Sequence, residues 1–147
     1  MTNPFDWRTV VFAKHAQHVA LVHFPIALFL AGVAFDGIAA WTKREAFANA
    51  AYFNLSAAAL TTLPVVLTGL LAWQWQLEGQ RPKGILLYHV LFASASAVVI
   101  LVSWWLRARR DTRTLPPPTW QLLMELVGVV LIMVTGHLGG FLSGVNS

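Results

Sequence analysis

Four long apolar stretches, separated by short polar segments, dominate the pattern of this chain. They run over about residues 18–40, 47–73, 85–106 and 120–142. Each has at least the roughly 20 residues that a helix needs to cross the hydrocarbon core of a bilayer. The pattern therefore predicts an all-α integral membrane protein, a four-helix up-and-down bundle that forms one transmembrane domain over the whole chain.

The residues before the first stretch are amphiphilic. They predict a short interfacial segment that lies on the membrane surface. Asp6 and Arg8 precede the apolar run, and no small-residue cleavage site follows it, so we do not expect a removable signal peptide.

Composition supports the membrane class and restricts the chemistry. The 147 residues are 57% apolar and 11% charged, whereas soluble domains have roughly 25% charged residues. The mean hydropathy is +0.63. Because the chain has no cysteine, disulfides, thiolate-bound iron–sulfur clusters and covalently attached c-type haem are excluded. We find no hydrolase or phosphate-binding motif, and whether the chain is an enzyme stays open.

Lysine and arginine indicate the orientation. The connections after the first and third stretches hold six of them: Lys43, Arg44, Arg107, Arg109, Arg110 and Arg113. The opposite side holds four: Arg8, Lys14, Arg81 and Lys83. By the positive-inside rule we expect both termini outside the cytoplasm. The net charge of +4 then reflects topology, and we expect no nucleic-acid partner.

Three histidines are expected at one depth of the bundle. His23 and His89 lie about five residues from the start of their stretches, and His137 lies about five from the end of the fourth. At 1.5 Å per residue, all three lie roughly 7 Å below the outer face. An imidazole in hydrocarbon needs a hydrogen bond, a metal or a cofactor. His15 and His18 are expected above this layer, nearer water.

This layer predicts b-type haem with two histidine ligands. In an up-and-down bundle the first and third helices are diagonal, so His23 and His89 could hold the iron between them. Pro25 could open room for the ligand. His137 could replace one ligand, and Arg81 could pair with a propionate. Zinc or copper on three imidazoles, a chlorophyll-type pigment, or no cofactor at all are the alternatives.

Two carboxyl groups are expected nearer the cytoplasmic end. Asp36 and Glu125 could meet across a helix interface and handle protons, but we interpret them as carboxylates at the membrane interface. The basic run from Arg107 to Arg113 is interpreted as a determinant of topology.

Two motifs resemble an uncharacterised family of small four-span bacterial membrane proteins, catalogued as a domain of unknown function. They are Val22-His-Phe-Pro-Ile-Ala-Leu28 and Gly136-His-Leu-Gly-Gly140, and the resemblance extends from about His15 to Val145. Asp36 also resembles an aspartate of that family. The resemblance implies a place in a bacterial inner membrane. Relatives joined to Rieske-type or cytochrome c domains imply a role near respiratory electron transfer.

Two functions follow as hypotheses. The first is a membrane electron-transfer protein that binds haem b and exchanges electrons with quinone, a cytochrome or a redox complex. The second is a non-catalytic accessory subunit of a larger respiratory or photosynthetic membrane complex.

Overall fold

The computed structural model describes residues 16–77, 81–110 and 117–142. The predicted interfacial segment, with His15, lies outside these residues. The described residues form four long helices, numbered here in chain order: α1 (Ala16–Thr42), α2 (Glu45–Leu77), α3 (Ile85–Ala108) and α4 (Thr119–Leu142). Each predicted apolar stretch falls inside one helix. All four helices are long and apolar enough to cross a membrane.

The helices pack up-and-down as a bundle, which confirms the predicted fold class. α1 packs most extensively against α2, and α3 packs against α4, so the bundle consists of two antiparallel hairpins. Smaller interfaces, α2 with α3 and α1 with α4, join the hairpins. α1 and α3 are therefore diagonal to one another, as expected from the topology.

A two-residue connection makes the first hairpin tight. Lys43 has a φ of 57°, in the left-handed region that often ends helices. Its backbone N–H donates to the Ala39 carbonyl over 2.8 Å. The reversal stacks Phe47 of α2 on Phe35 of α1, with ring centroids 6.3 Å apart. α1 and α2 are thus held together from their connected ends.

The apolar core joins side chains from all four helices: Phe29, Val33, Leu55, Ala58, Ala59, Ile100 and Ile132. Glycine permits the closest approach. A Cβ atom on Gly128 of α4 would lie 2.7 Å from Cγ1 of Val99 and 2.9 Å from Cζ of Phe29. Small residues let membrane helices approach closely enough for good van der Waals packing. Gly128 therefore allows α4 to pack against both α1 and α3.

Candidate functional site

Burial divides the bundle into two halves. In one half, every helix has buried side chains; it comprises residues 25–62, 96–107 and 117–132 and is called the ion-pair half. The other half comprises residues 17–24, 63–74, 85–95 and 133–142 and is called the histidine half. Among the described residues of the histidine half, none is buried. The two hairpins thus pack closely in one half and less closely in the other.

The ion-pair half contains a buried salt bridge between the diagonal helices. Asp36 of α1 and Arg107 of α3 are 0% and 1% exposed, and Nη2 of Arg107 lies 3.1 Å from Oδ1 of Asp36. The same Nη2 donates a hydrogen bond of 3.1 Å to the Ala48 carbonyl of α2. Such contacts offset the desolvation of the charges. One guanidinium therefore connects three helices.

α4 adds a second acid to this region. Gln121 and Glu125, one turn apart, are both fully buried. Nε2 of Gln121 donates to Oε1 of Glu125 over 3.0 Å. Glu125 is also close enough to Asp36 and Arg107 to interact with both electrostatically. These four side chains are called the polar cluster below.

The interpretation of Asp36 and Glu125 as interfacial carboxylates is wrong, because neither side chain has exposed surface. Arg107, interpreted together with its run as a determinant of topology, is buried in the bundle. Its neighbours, the exposed Arg109 and the half-buried Arg110, lie beside Trp105 and Trp120, as residues of a membrane interface do. The direction of its side chain could have identified Arg107 from the sequence. Side chains tilt towards the helix N-terminus, so Arg107 reaches back along α3 to the depth of Asp36.

In the histidine half, α2 holds the first of two half-buried imidazoles. Nδ1 of His18 lies 3.2 Å from Oγ1 of Thr68. A Cβ atom on Gly69 would lie 3.0 Å from Cε1 of His18, so glycine at this position lets the ring rest on α2. His18, which the sequence placed at the wet boundary above the histidine layer, is thus half-buried against α2.

α4 holds the second imidazole in the same way. Nδ1 of His89 lies 3.2 Å from the Thr135 carbonyl oxygen. A Cβ atom on Gly139 would lie 3.3 Å from Cε1 of His89. His18 and His89 thus come from different hairpins, on the diagonal helices α1 and α3, and both lie in the histidine half.

The other candidates face outward. His23 is exposed, and its Nδ1 donates to the Val19 carbonyl of its own helix over 2.7 Å. His137 is exposed and packs edge-on against Phe141, with ring centroids 5.0 Å apart. Arg81 is exposed before α3. His23, His137 and Arg81 therefore stay predictions as cofactor-binding residues, and sequence reasoning missed His18.

The parts of the chain described here contain no three-ligand metal group. Within residues 16–77, 81–110 and 117–142, no three or more His, Asp or Glu side chains are grouped to hold a metal ion. Two apolar grooves of about 350 Å³ each lie elsewhere. One follows α4, and the other lies between α2 and α3, lined by Tyr52, Leu63 and Trp104 among others.

Four apolar helices packed as two hairpins define this chain as a multi-pass membrane protein. Over residues 14–145 it matches the family described as "Predicted membrane protein (DUF2231)", and the chain belongs to that family. The family resemblance carried by the two histidine motifs is thereby confirmed. No curated protein and no solved structure matches the chain.

Proposed function

We propose that the protein is a membrane electron carrier that binds haem b between its two hairpins in the histidine half. The observation that carries this proposal is the placement of His18 and His89 in the same half of the bundle. Each imidazole is half-buried, and the two come from different hairpins, on the diagonal helices α1 and α3. Four-helix bundles build cofactor sites from side chains on facing helices.

The surroundings of the two rings support a ligating role. Both rings are held through Nδ1, by Thr68 and by the Thr135 carbonyl, an arrangement that orients a histidine to ligate through Nε2. Gly69 and Gly139 let the two rings pack directly against the neighbouring helix of their own hairpin. Because no described residue of this half is buried, we propose that the planar group lies between the hairpins here.

Within this proposal, His18 takes the place that the sequence pattern assigned to His23. His18 and His89 would hold the iron, and Arg81 would pair with a propionate near the membrane surface. Haem b held by two histidines supplies a one-electron iron couple. The chain itself would orient the ligands, exclude lipid from the iron and place the group near one membrane face.

The excess of basic residues at the other end supports an outer location for the histidine half. Quinol, a soluble cytochrome or a larger redox complex could then exchange electrons with the haem at that face. The bacterial inner membrane is the compartment in which such partners occur.

Purification from haem-replete cells, followed by absorption spectroscopy and iron analysis, tests the proposal. We expect a bis-histidine haem spectrum in the wild type that is lost in His18→Ala and in His89→Ala. The matched controls are His23→Ala and His137→Ala, which should keep it. A colourless preparation, or a spectrum that survives both of the first substitutions, would contradict haem binding here. Loss in His23→Ala but not in His18→Ala would restore the ligand pair predicted from the sequence.

The groove between α2 and α3 supports a second candidate, a non-catalytic accessory subunit of a larger membrane complex. It combines Tyr52 and Ser56 with apolar side chains, and Trp104 borders it. A transmembrane helix of a partner subunit could pack there. Purification in mild detergent distinguishes the two functions. A fixed stoichiometric complex without haem in this chain would favour the accessory role.

A further inference from the structure

The polar cluster has more unpartnered acceptors than unpartnered donors. Among the described residues, four buried acid or amide oxygens have no hydrogen-bond partner, two on Asp36 and one each on Gln121 and Glu125, although Oδ1 of Asp36 still lies 3.1 Å from Nη2 of Arg107 as an ion pair. The unpartnered donors are Nε of Arg107 and the hydroxyl of Ser103, which is fully buried one turn before Arg107 on α3. A buried acceptor without a donor is costly, so this imbalance favours an additional donor.

The charges in the cluster are also unbalanced. Arg107 carries one positive charge, whereas Asp36 and Glu125 together can carry two negative charges. The charged groups that act on Glu125 are Asp36 from α1 and Arg107 from α3. The half-buried Arg110, just after α3, acts on Asp36, and the Ala48 carbonyl of α2 accepts a hydrogen bond from Arg107. Among the fully buried side chains, two ionised acids with one guanidinium would leave one uncompensated negative charge, which is unfavourable inside a membrane bundle. A single added proton removes it.

Contacts decide which acid holds that proton. Asp36 has the guanidinium of Arg107 at 3.1 Å, a partner that favours its ionised form. Glu125 receives a hydrogen bond from the neutral amide of Gln121, and its Oε2 atom has no partner in the part of the chain that the structure describes. Adding a proton to Oε2 converts that orphan acceptor into a donor.

We propose that Glu125 is an exchangeable proton-binding site, held beside the Asp36–Arg107 ion pair. On binding, hydronium at the nearer membrane face gives its proton to the carboxylate: an O–H bond forms on Glu125, and water remains. On release, the same bond breaks and the proton returns to water. Glu125 lies six residues into α4, roughly 9 Å along the helix from its start. This site is separate from the proposed haem site and stands without it.

Infrared difference spectroscopy between acidic and alkaline buffer tests this proposal directly, because a protonated carboxyl group has its own carbonyl band. We expect a band from a dehydrated carboxylic acid in the wild type and its loss in Glu125→Gln, which imitates the protonated form. The matched control is Glu45→Gln, at an exposed acid on α2, which should keep the band. In Asp36→Asn the band should persist but appear only at lower pH, because Glu125 then becomes the sole counter-charge to Arg107.

A band that survives in Glu125→Gln, or that disappears in Asp36→Asn alone, would overturn the assignment. So would a wild-type spectrum without any such band. If Glu125→Gln does not purify, wild-type protein labelled with ¹³C-glutamate provides the same information. The band must shift with that label and must not shift with ¹³C-aspartate.

Thermal unfolding at several pH values provides a second measurement. Raising the pH ionises Glu125 in the folded protein and places a second negative charge beside Asp36. The unfolding temperature of the wild type should therefore fall with rising pH relative to that of Glu125→Gln, and other titrating groups cancel in this comparison. Parallel curves for the two proteins would contradict the proposal.

Discussion

The two halves of the bundle solve the problem of polar groups in a membrane differently. In the ion-pair half, ionisable side chains from α1, α3 and α4 are fully buried: Asp36 pairs with Arg107, and Glu125 is near enough to interact with both electrostatically. In the histidine half, His18 and His89 are only half-buried, and each is bonded to the neighbouring helix of its own hairpin. The first arrangement joins the hairpins, whereas the second leaves room between them. We therefore expect stability to depend mainly on the ion-pair half, and the proposed haem binding to depend on the histidine half.

Removing the buried arginine should produce the largest effect. Arg107→Ala leaves Asp36 buried without its partner, and breaking such a pair costs about 3–5 kcal/mol. The free energy of unfolding in detergent, followed by circular dichroism, measures the loss. Arg109→Ala is the matched control because Arg109 is exposed on the same helix; we expect a change of about 0.5 kcal/mol. Equal stability of the two variants would refute the division into two halves.

Adding one methyl group to α4 tests close packing in each half. Gly128→Ala places Cβ against Val99 and Phe29, and overpacking of this kind costs about 1–3 kcal/mol. Gly136→Ala, two turns later on α4, meets no atom within 4 Å. Gly136→Ala should be neutral or slightly stabilising, because alanine favours helix more than glycine does. The same unfolding assay compares them, and a reversed order would show that the histidine half is the tighter one.

Thr68→Val tests whether the histidine half is built for ligation. It removes the oxygen beside Nδ1 of His18, and loss of such a supporting contact weakens metal binding about 10–100-fold. Haem titration of the apoprotein measures the affinity. Thr61→Val is the control, since the Thr61 hydroxyl donates only to carbonyls of its own helix in the hydrogen bonds observed. If both variants bind haem equally, Thr68 does not support a ligand.

The smallest effects should come from the outward-facing histidines. His23→Ala and His137→Ala change exposed side chains, and such substitutions usually alter stability by less than about 0.5 kcal/mol. Unfolding measurements on both variants check this. A decrease of about 2 kcal/mol or more in the free energy of unfolding would be as large as that from breaking a buried network. It would show that these side chains contact partners that are absent from the isolated chain.

The sequence predicts the helices well because membrane spans depend on length and apolar composition, which are local properties. The polar cluster is different. Whether Asp36 contacts Arg107 depends on the rotation of each helix about its axis. The sequence does not indicate that rotation, because the different faces of a membrane helix are similarly apolar. The basic run from Arg107 to Arg113 also concealed Arg107, since four neighbouring arginines have an ordinary explanation as topology signals.

His18 escaped prediction for a related reason. It lies at the edge of the apolar stretch, so hydropathy assigned it to the wet boundary, yet α1 begins before it and α2 extends opposite it. Thr68 and Gly69 could be recognised in the sequence as small residues of the second apolar stretch. They are the feature from which the packing of His18 could have been predicted. Their relation to His18 becomes apparent only when the first hairpin is closed.

The Asp36–Arg107 salt bridge has a consequence for biogenesis. Its carboxylate belongs to α1 and its guanidinium to α3, which is synthesised later, so the pair cannot form until α3 of the second hairpin has entered the bilayer. An arginine at the centre of an isolated span opposes insertion by roughly 2.5–3.5 kcal/mol, and a position near the span's end reduces that cost. Formation of the salt bridge is therefore a late step of assembly, and it joins two separately inserted hairpins into a single bundle.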